Sequence, residues 1–246
     1  NWNAYSEGTL PRGNPATGDA RPGASARSRS AVRSRSAPTG MVGIFFVGAS
    51  HGILFGLSAV YATRAGFGSA MTAAFLALPS LGALVFQWPL GWASDRLPRR
   101  GVIFAVAVAA AATTALLAVI PEDSVVVLPV MFVLGGLSFS LYSLLLSHTL
   151  DRSAPGTAMG ASGASLRVNG TGAVVGPVVA GVIMSAFGET SFFWCLVVTH
   201  GLVALYVAYR LLTEDAVPRS LQGPFVPVPA RATDFAIRLT SRPLRA

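Results

Sequence analysis

Polar and charged residues gather at the two ends of the chain and in short gaps between six long apolar runs. The runs lie at about 41–63, 70–94, 101–120, 125–147, 157–187 and 191–212. Each can supply the roughly 20 residues that cross a hydrocarbon core. In that medium an open sheet edge would leave backbone groups unpaired, so the runs are predicted to be helices. The pattern therefore predicts an all-α membrane protein, with a six-helix transmembrane bundle over residues 40–213. A segment at 1–39 precedes it and a polar, Pro-interrupted tail follows at 214–246.

Composition supports this reading. Mean hydropathy is +0.60, and only 11% of the 246 residues are charged, against about 25% in soluble domains. The run "ASARSRSAVRSRSAPTG" within 1–39 cannot bury enough apolar surface to offset its ordering entropy, and reads as a disordered basic linker. Residues 1–39 also lack the apolar core of a signal peptide. The chain begins with Asn, and it is expected to be a fragment of a longer protein.

The net charge is +8 and every basic residue is Arg. Such a balance also suits nucleic-acid binding, but the Arg residues sit in tails and short loops, as in membrane proteins. No nucleic-acid partner is expected. With both termini in the cytoplasm, the short inner loops carry Arg96, Arg99, Arg100 and Arg152. The outer loops then carry Arg64 with Glu122, Asp123 and Glu189. This is the positive-inside arrangement, and the tail at 214–246 becomes a flexible cytoplasmic one. Cys195 is the single cysteine and no Cys/His metal spacing occurs, so neither a disulfide within the chain, a metal nor a cofactor is expected.

The stretch "QWPLGWASDRLPRR", Gln87 to Arg100, concentrates charge where the second run ends. Its Arg residues suit a loop facing anionic headgroups. Asp95 is anomalous, because the macrodipole at a helix C-terminus disfavours a carboxylate; it needs a cation or a helix N-terminus as partner. The second run ends in "SDRLPRRG" and the fourth in "LDRSAPGT", a weak echo of the three-helix inverted repeats found in transporters. In "GTGAVVGPVVAG", Gly172, Gly176 and Gly181 permit close helix packing, while Pro177 loosens the backbone ladder.

Ionisable and polar groups within the apolar runs are candidates for a solute or proton pathway. His51 lies about 15 Å into the first span, near the midplane, as a solute or proton contact or as a bond to a neighbouring helix. Arg167 falls near the inner interface, where it could snorkel, pair with Asp95 or Asp151, or bind an anion. Gln87, Tyr142 and Asn169 complete the pathway set, with Ser138 and His148 as further polar groups and His200 as a structural one. No Asp or Glu lies well inside a span. No Walker loop or zinc-protease motif is present, so no enzyme is expected.

Gly91-x-x-x-Asp95-Arg96-x-x-Arg99-Arg100 resembles the G-x-x-x-D-R-x-G-R-R signature of the major facilitator superfamily, with Pro98 in place of the usual Gly. The segment around Gly172 and Pro177 is similar to that superfamily's fifth-helix Gly-Pro motif. The stretches after spans two and four, with the Arg/Ser linker, resemble the C-terminal half of bacterial YcaD-like permeases. That resemblance implies one half of a twelve-helix transporter, a 3+3 inverted repeat in a bacterial inner membrane, moving a small solute by alternating access. It makes Asp95 a conformational latch against an N-terminal six-helix half, with spans one, two, four and five lining the path. A non-transporting scaffold or receptor, and a natural half-transporter that dimerises, remain as alternatives.

Overall fold

A computed structural model of the chain describes residues 37–121, 124–153, 157–213 and 225. The expected basic linker therefore lies outside the described residues up to residue 36, and so does the tail, apart from Phe225. Among the described residues there are six helices and no strand: α1 (Ala37–Arg64), α2 (Ser69–Arg96), α3 (Arg99–Val119), α4 (Val127–Asp151), α5 (Ala158–Phe187) and α6 (Ser191–Thr213). All six are long and apolar enough to cross a membrane.

The turns carry local signals. Gly66 and Gly188, after α1 and α5, adopt φ of 74° and 91°, a region closed to most L-residues. The α2–α3 connection is shorter than the six-residue loop expected from sequence. Asp95 and Arg96 belong to the last turn of α2, Arg99 and Arg100 open α3, and only Leu97 and Pro98 lie between. Pro98 precedes the first turn of α3, where its missing N–H leaves no helical bond unmade.

The helices pack as two interlocked triplets. The most extensive contacts are α1 with α5 and α2 with α4, followed by α3 with α6, then α3 with α4 and α1 with α6. Exchanging α1 with α4, α2 with α5 and α3 with α6 turns α1–α5 into α2–α4 and α3–α4 into α1–α6, and leaves α3–α6 unchanged. Because each triplet crosses the membrane an odd number of times, the second is inverted relative to the first. Residue detail follows the exchange. Gly48 of α1 abuts the backbone of Asn169 in α5, and Gly135 of α4 abuts that of Pro79 in α2. In the other direction, Gly172 of α5 meets Phe45 and Ala49, while Gly82 of α2 meets Phe132 and Gly136. At these contacts a Cβ would enter the facing backbone, so small residues allow the approach that drives helix packing in lipid.

The bundle's two ends are built differently. At the distal face, where α1 ends and α2 begins, Tyr61 stacks on Phe75 and Phe192 and meets Phe193 edge-on, with centroids 4.9–5.5 Å apart. These rings tie α1, α2 and α6 together through apolar contact. At the terminal face, where α1 begins and α6 ends, charged residues perform the corresponding task.

Candidate functional site

Two features can carry chemistry: a hollow seam between α1 and α5, and an ion-pair cluster at the terminal face. The seam contains a cavity of about 300 Å³ lined by His51, Gly52, Phe55, Gly56, Asn169, Ala173 and Pro177. A second cavity of about 650 Å³ continues it toward the distal face, sharing Pro177 and reaching Arg64 and Ser185. Both lie in the size range of small-molecule sites.

His51 is 3% exposed. Its Nε2–H donates to the carbonyl of Ser138 in α4 at 3.1 Å, since a carbonyl can only accept. In the neutral ring Nδ1 is then an acceptor, and it has no partner among the described residues. The ring lies 4.5 Å from that of Phe139. Ser138 also reaches His200: the Nδ1–H of His200 donates to the Leu196 carbonyl at 2.8 Å, so its Nε2 accepts the Ser138 hydroxyl at 3.0 Å. Two imidazoles thus join α1, α4 and α6 through one serine. Asn169 donates to the Ile44 carbonyl at 3.4 Å, holding α5 on α1 below the cavity.

At the terminal face, Arg99 is 2% exposed. Its guanidinium donates to Ser94 Oγ at 3.0 Å, Asp151 Oδ2 at 2.5 Å and Asp95 Oδ1 at 3.3 Å. The ends of α2 and α4 are therefore clasped by the first residue of α3. Asp151 is as buried as a carboxylate in a core, whereas the Asp95 side chain stays 43% exposed. Asp95 also accepts the backbone N–H of Phe225 at 2.9 Å.

The sequence-selected residues divide accordingly. Of the pathway set, His51 and Asn169 meet at the seam. Gln87 lies on α2, its Nε2 donating to Ser143 Oγ at 3.5 Å. Tyr142 is 2% exposed and belongs to the apolar core, a place that α4, buried over most of its length, imposes. Arg167 is exposed on α5 and forms no ion pair with Asp95 or Asp151 among the described residues. In the signature, Arg99 and Arg100 are buried and do not face headgroups as the loop reading expected, because they open a helix packed on α4. Arg96 stays outside, with its guanidinium 4.0 Å above the Trp92 ring. Gly172 and Gly176 pack on α1 as expected, and Pro177 meets Gly56 and lines the cavities. Gly181 does not pack on a helix; it has open space around it at the edge of the distal cavity. Gly91 faces Phe225, not a neighbouring helix.

Sequence reasoning missed the Arg99–Asp151 pair and Phe225. The "SDR" and "LDR" echo was the available signal for the first, since it places two acids at the same end of adjacent helices. Nothing in the tail singled out Phe225.

Comparison with known proteins places this geometry. The family model described as Major Facilitator Superfamily matches residues 7–170 and 41–245. A protein of Yersinia pestis (strain Pestoides F) named an uncharacterized MFS-type transporter is 24% identical over 185 residues, covering 75% of this chain and 46% of its own length. The Bacillus subtilis protein YfkF, named likewise, is 28% identical over 140 residues, 57% of this chain and 36% of that protein. A third, from Enterobacter sp. (strain 638), is 23% identical over 191 residues, 76% and 48% of the two chains. The chain thus spans about half the length of the curated relatives it matches. No solved structure matches.

Proposed function

The chain belongs to the major facilitator superfamily, and on that premise we propose that it is the C-terminal six-helix half of a secondary transporter for a small solute. It works by alternating access against an N-terminal half, in a bacterial inner membrane. The observation that carries this reading is the α1–α5 seam, where His51, a buried histidine with one unpartnered ring nitrogen, is among the residues lining a cavity that continues toward one face. A scaffold held together by a dry interface has no use for such a seam. Transporter sites characteristically lie near the midplane between repeats, and His51 stands about 15 Å into its span.

The terminal face is assigned to the cytoplasm because Arg96, Arg99, Arg100 and Arg152 gather there, as the positive-inside rule requires. In this frame His51 Nδ1 accepts a solute O–H or N–H group, and Phe55 offers its ring as an apolar wall. Asp95, fixed by Arg99 yet half open, is the latch: it pairs with the opposite half in one state and releases it in the other. Asp151 keeps Arg99 in position to present Asp95.

Flux measurements on the complete protein separate the two roles. Asp95→Asn is expected to lower kcat about tenfold with KM within about twofold, because a state-specific contact worth roughly 1.4 kcal/mol is removed. His51→Ala is expected to act on KM as well. Normal transport by Asp95→Asn would remove the latch from the mechanism.

A further inference from the structure

Seven arginines lie among the described residues, and five of them are engaged. Arg99 holds Asp95 and Asp151, Arg96 covers the Trp92 ring, and Arg100, Arg152 and Arg210 each have an interaction of their own. The guanidiniums of Arg64 and Arg167 have no hydrogen-bond, ion-pair or ring partner among the described residues. Both belong to the helices of the seam, Arg64 ending α1 and Arg167 lying on α5, and neither helix contains an Asp or Glu. Glu189, just past α5, is not among the residues lining the distal cavity and pairs with neither arginine. Arg167, Val174, Val178, Gly181 and Ser185 follow one another at near-helical steps, so they share one face of α5. The last three line the distal cavity beside Arg64. From Arg167 to Ser185 this face runs about 27 Å, close to the thickness of a hydrocarbon core. One cation therefore stands at each end of it.

The distal cavity, about 650 Å³, sets Arg64 and Ser185 among apolar walls such as Leu57, Val60, Val178 and Val182. The Ser185 hydroxyl already donates to the Gly181 carbonyl at 2.8 Å, which leaves the guanidinium as the side-chain donor for a ligand. A single fork of this kind matches one oxyanion head. A helix C-terminus favours a cation, which accounts for Arg64 on its helix but not for the cavity at its side. The positive-inside rule accounts for Arg167 and runs against Arg64 at the opposite face.

We infer that the seam is built for a small organic monoanion, an oxyanion head such as a carboxylate on an apolar body. Arg64 holds the head in the distal cavity, and Arg167 attracts it at the other end of the α5 face. The role of Arg167 rests on the transport reading of the seam; the binding site at Arg64 does not. A cleft lined by charge of one sign concentrates ligands of the other. A lipid phosphate offers Arg64 the same oxygens, and the experiment separates the two sources.

The test uses the complete protein in neutral detergent and titration calorimetry with benzoate and benzenesulfonate. Benzenesulfonamide and benzyltrimethylammonium serve as the neutral and cationic counterparts. The anions should bind at least about tenfold more tightly than either counterpart, the factor to which a charge-assisted hydrogen bond converts. Arg64→Gln should weaken them about tenfold or more, and Arg64→Lys, which keeps the charge but loses the fork, about threefold. In phosphatidylcholine vesicles, benzenesulfonate cannot leak and its counterflow reports transport. Arg167→Gln should slow that counterflow about tenfold while the affinity stays within about twofold. Failure of both anions to bind, preference for a counterpart, or unchanged affinity in Arg64→Gln would overturn the anion site. If Arg64→Gln instead lowered only the phosphatidylglycerol retained by the protein, Arg64 would be a headgroup contact and the site would fall. Arg64-dependent binding without counterflow would leave the anion site and remove the transport reading. Counterflow of the counterparts alone would do the reverse. Normal counterflow in Arg167→Gln would strike Arg167 from the path.

Discussion

Gly176 in α5 and Phe86 in α2 occupy equivalent places in the two triplets, each lying against the equivalent small residue of its partner helix, Ala49 or Gly136. Phe86 fills its crossing and meets Phe132 edge-on at 5.9 Å. Gly176 leaves its crossing tight at the backbone, with room in the seam beside it. A few residues along, His51 stands in α1 where α4 has Ser138, and these two equivalents bond to each other across the middle of the bundle. The backbone repeats, and the chemistry departs from the repeat. A scaffold built twice from glycine contacts thus keeps a cavity beside one crossing and a ring in the other, through a handful of side chains.

The symmetry of the scaffold is tested most severely at its glycines. Gly48→Val and Gly135→Val each drive a branched side chain into facing backbone. Each should cost at or above the upper end of the roughly 1–3 kcal/mol of core overpacking, read as loss of folded protein in detergent melts. If one were tolerated and the other not, the two crossings would not be equivalent. Next in size is the terminal face, where the triplets differ. Asp151→Leu strips a carboxylate from buried Arg99 and should cost about 3 kcal/mol, the lower end for a broken buried pair, because Ser94 and Asp95 remain. Arg64, at the corresponding end of α1, is exposed, and Arg64→Leu should change stability by less than about 0.5 kcal/mol.

The filled and hollow crossings should then separate by readout. Phe86→Ala should cost about 2 kcal/mol, below the range for a fully buried phenylalanine because the ring is only partly buried, while transport persists. His51→Ala should lower transport about tenfold at a stability cost near 1 kcal/mol. Equal effects on both readouts would erase the distinction. The smallest effect belongs to Ser138→Ala. It removes the hydroxyl that serves His200 but keeps the carbonyl that serves His51, and should cost about 0.6 kcal/mol, typical of a hydrogen bond inside a membrane bundle.

The helices were legible because the hydrocarbon thickness imposes a length on any apolar run, and the observed ends fall within a few residues of those expected. Asp95 was legible as a carboxylate in need of a partner, since a helix end has a known polarity. Its partners were not: Arg99 came from the next helix once the loop shrank to two residues, and Phe225 from a tail without periodicity. Tyr142 looked like a pathway residue because it is a polar group within an apolar run, and α4 mixes hydroxyls with apolar residues along its length. Such a helix has no polar face from which a buried position could be told from a cavity-lining one. The pairing of His51 with Asn169 depends on the α1–α5 crossing, a contact between distant runs that no local pattern encodes.

The most direct test of the hollow-versus-filled account compares two cysteines in a Cys195→Ser background. Phe55 lines the seam and is 47% exposed, whereas Phe86 plugs the other crossing. A small hydrophilic thiol reagent should modify Phe55→Cys in sealed membranes and abolish transport, because thiolate chemistry requires water at the site. Phe86→Cys should react at least about tenfold more slowly and leave transport intact. Equal inertness of the two would mean that the seam is dry and the solute path lies elsewhere.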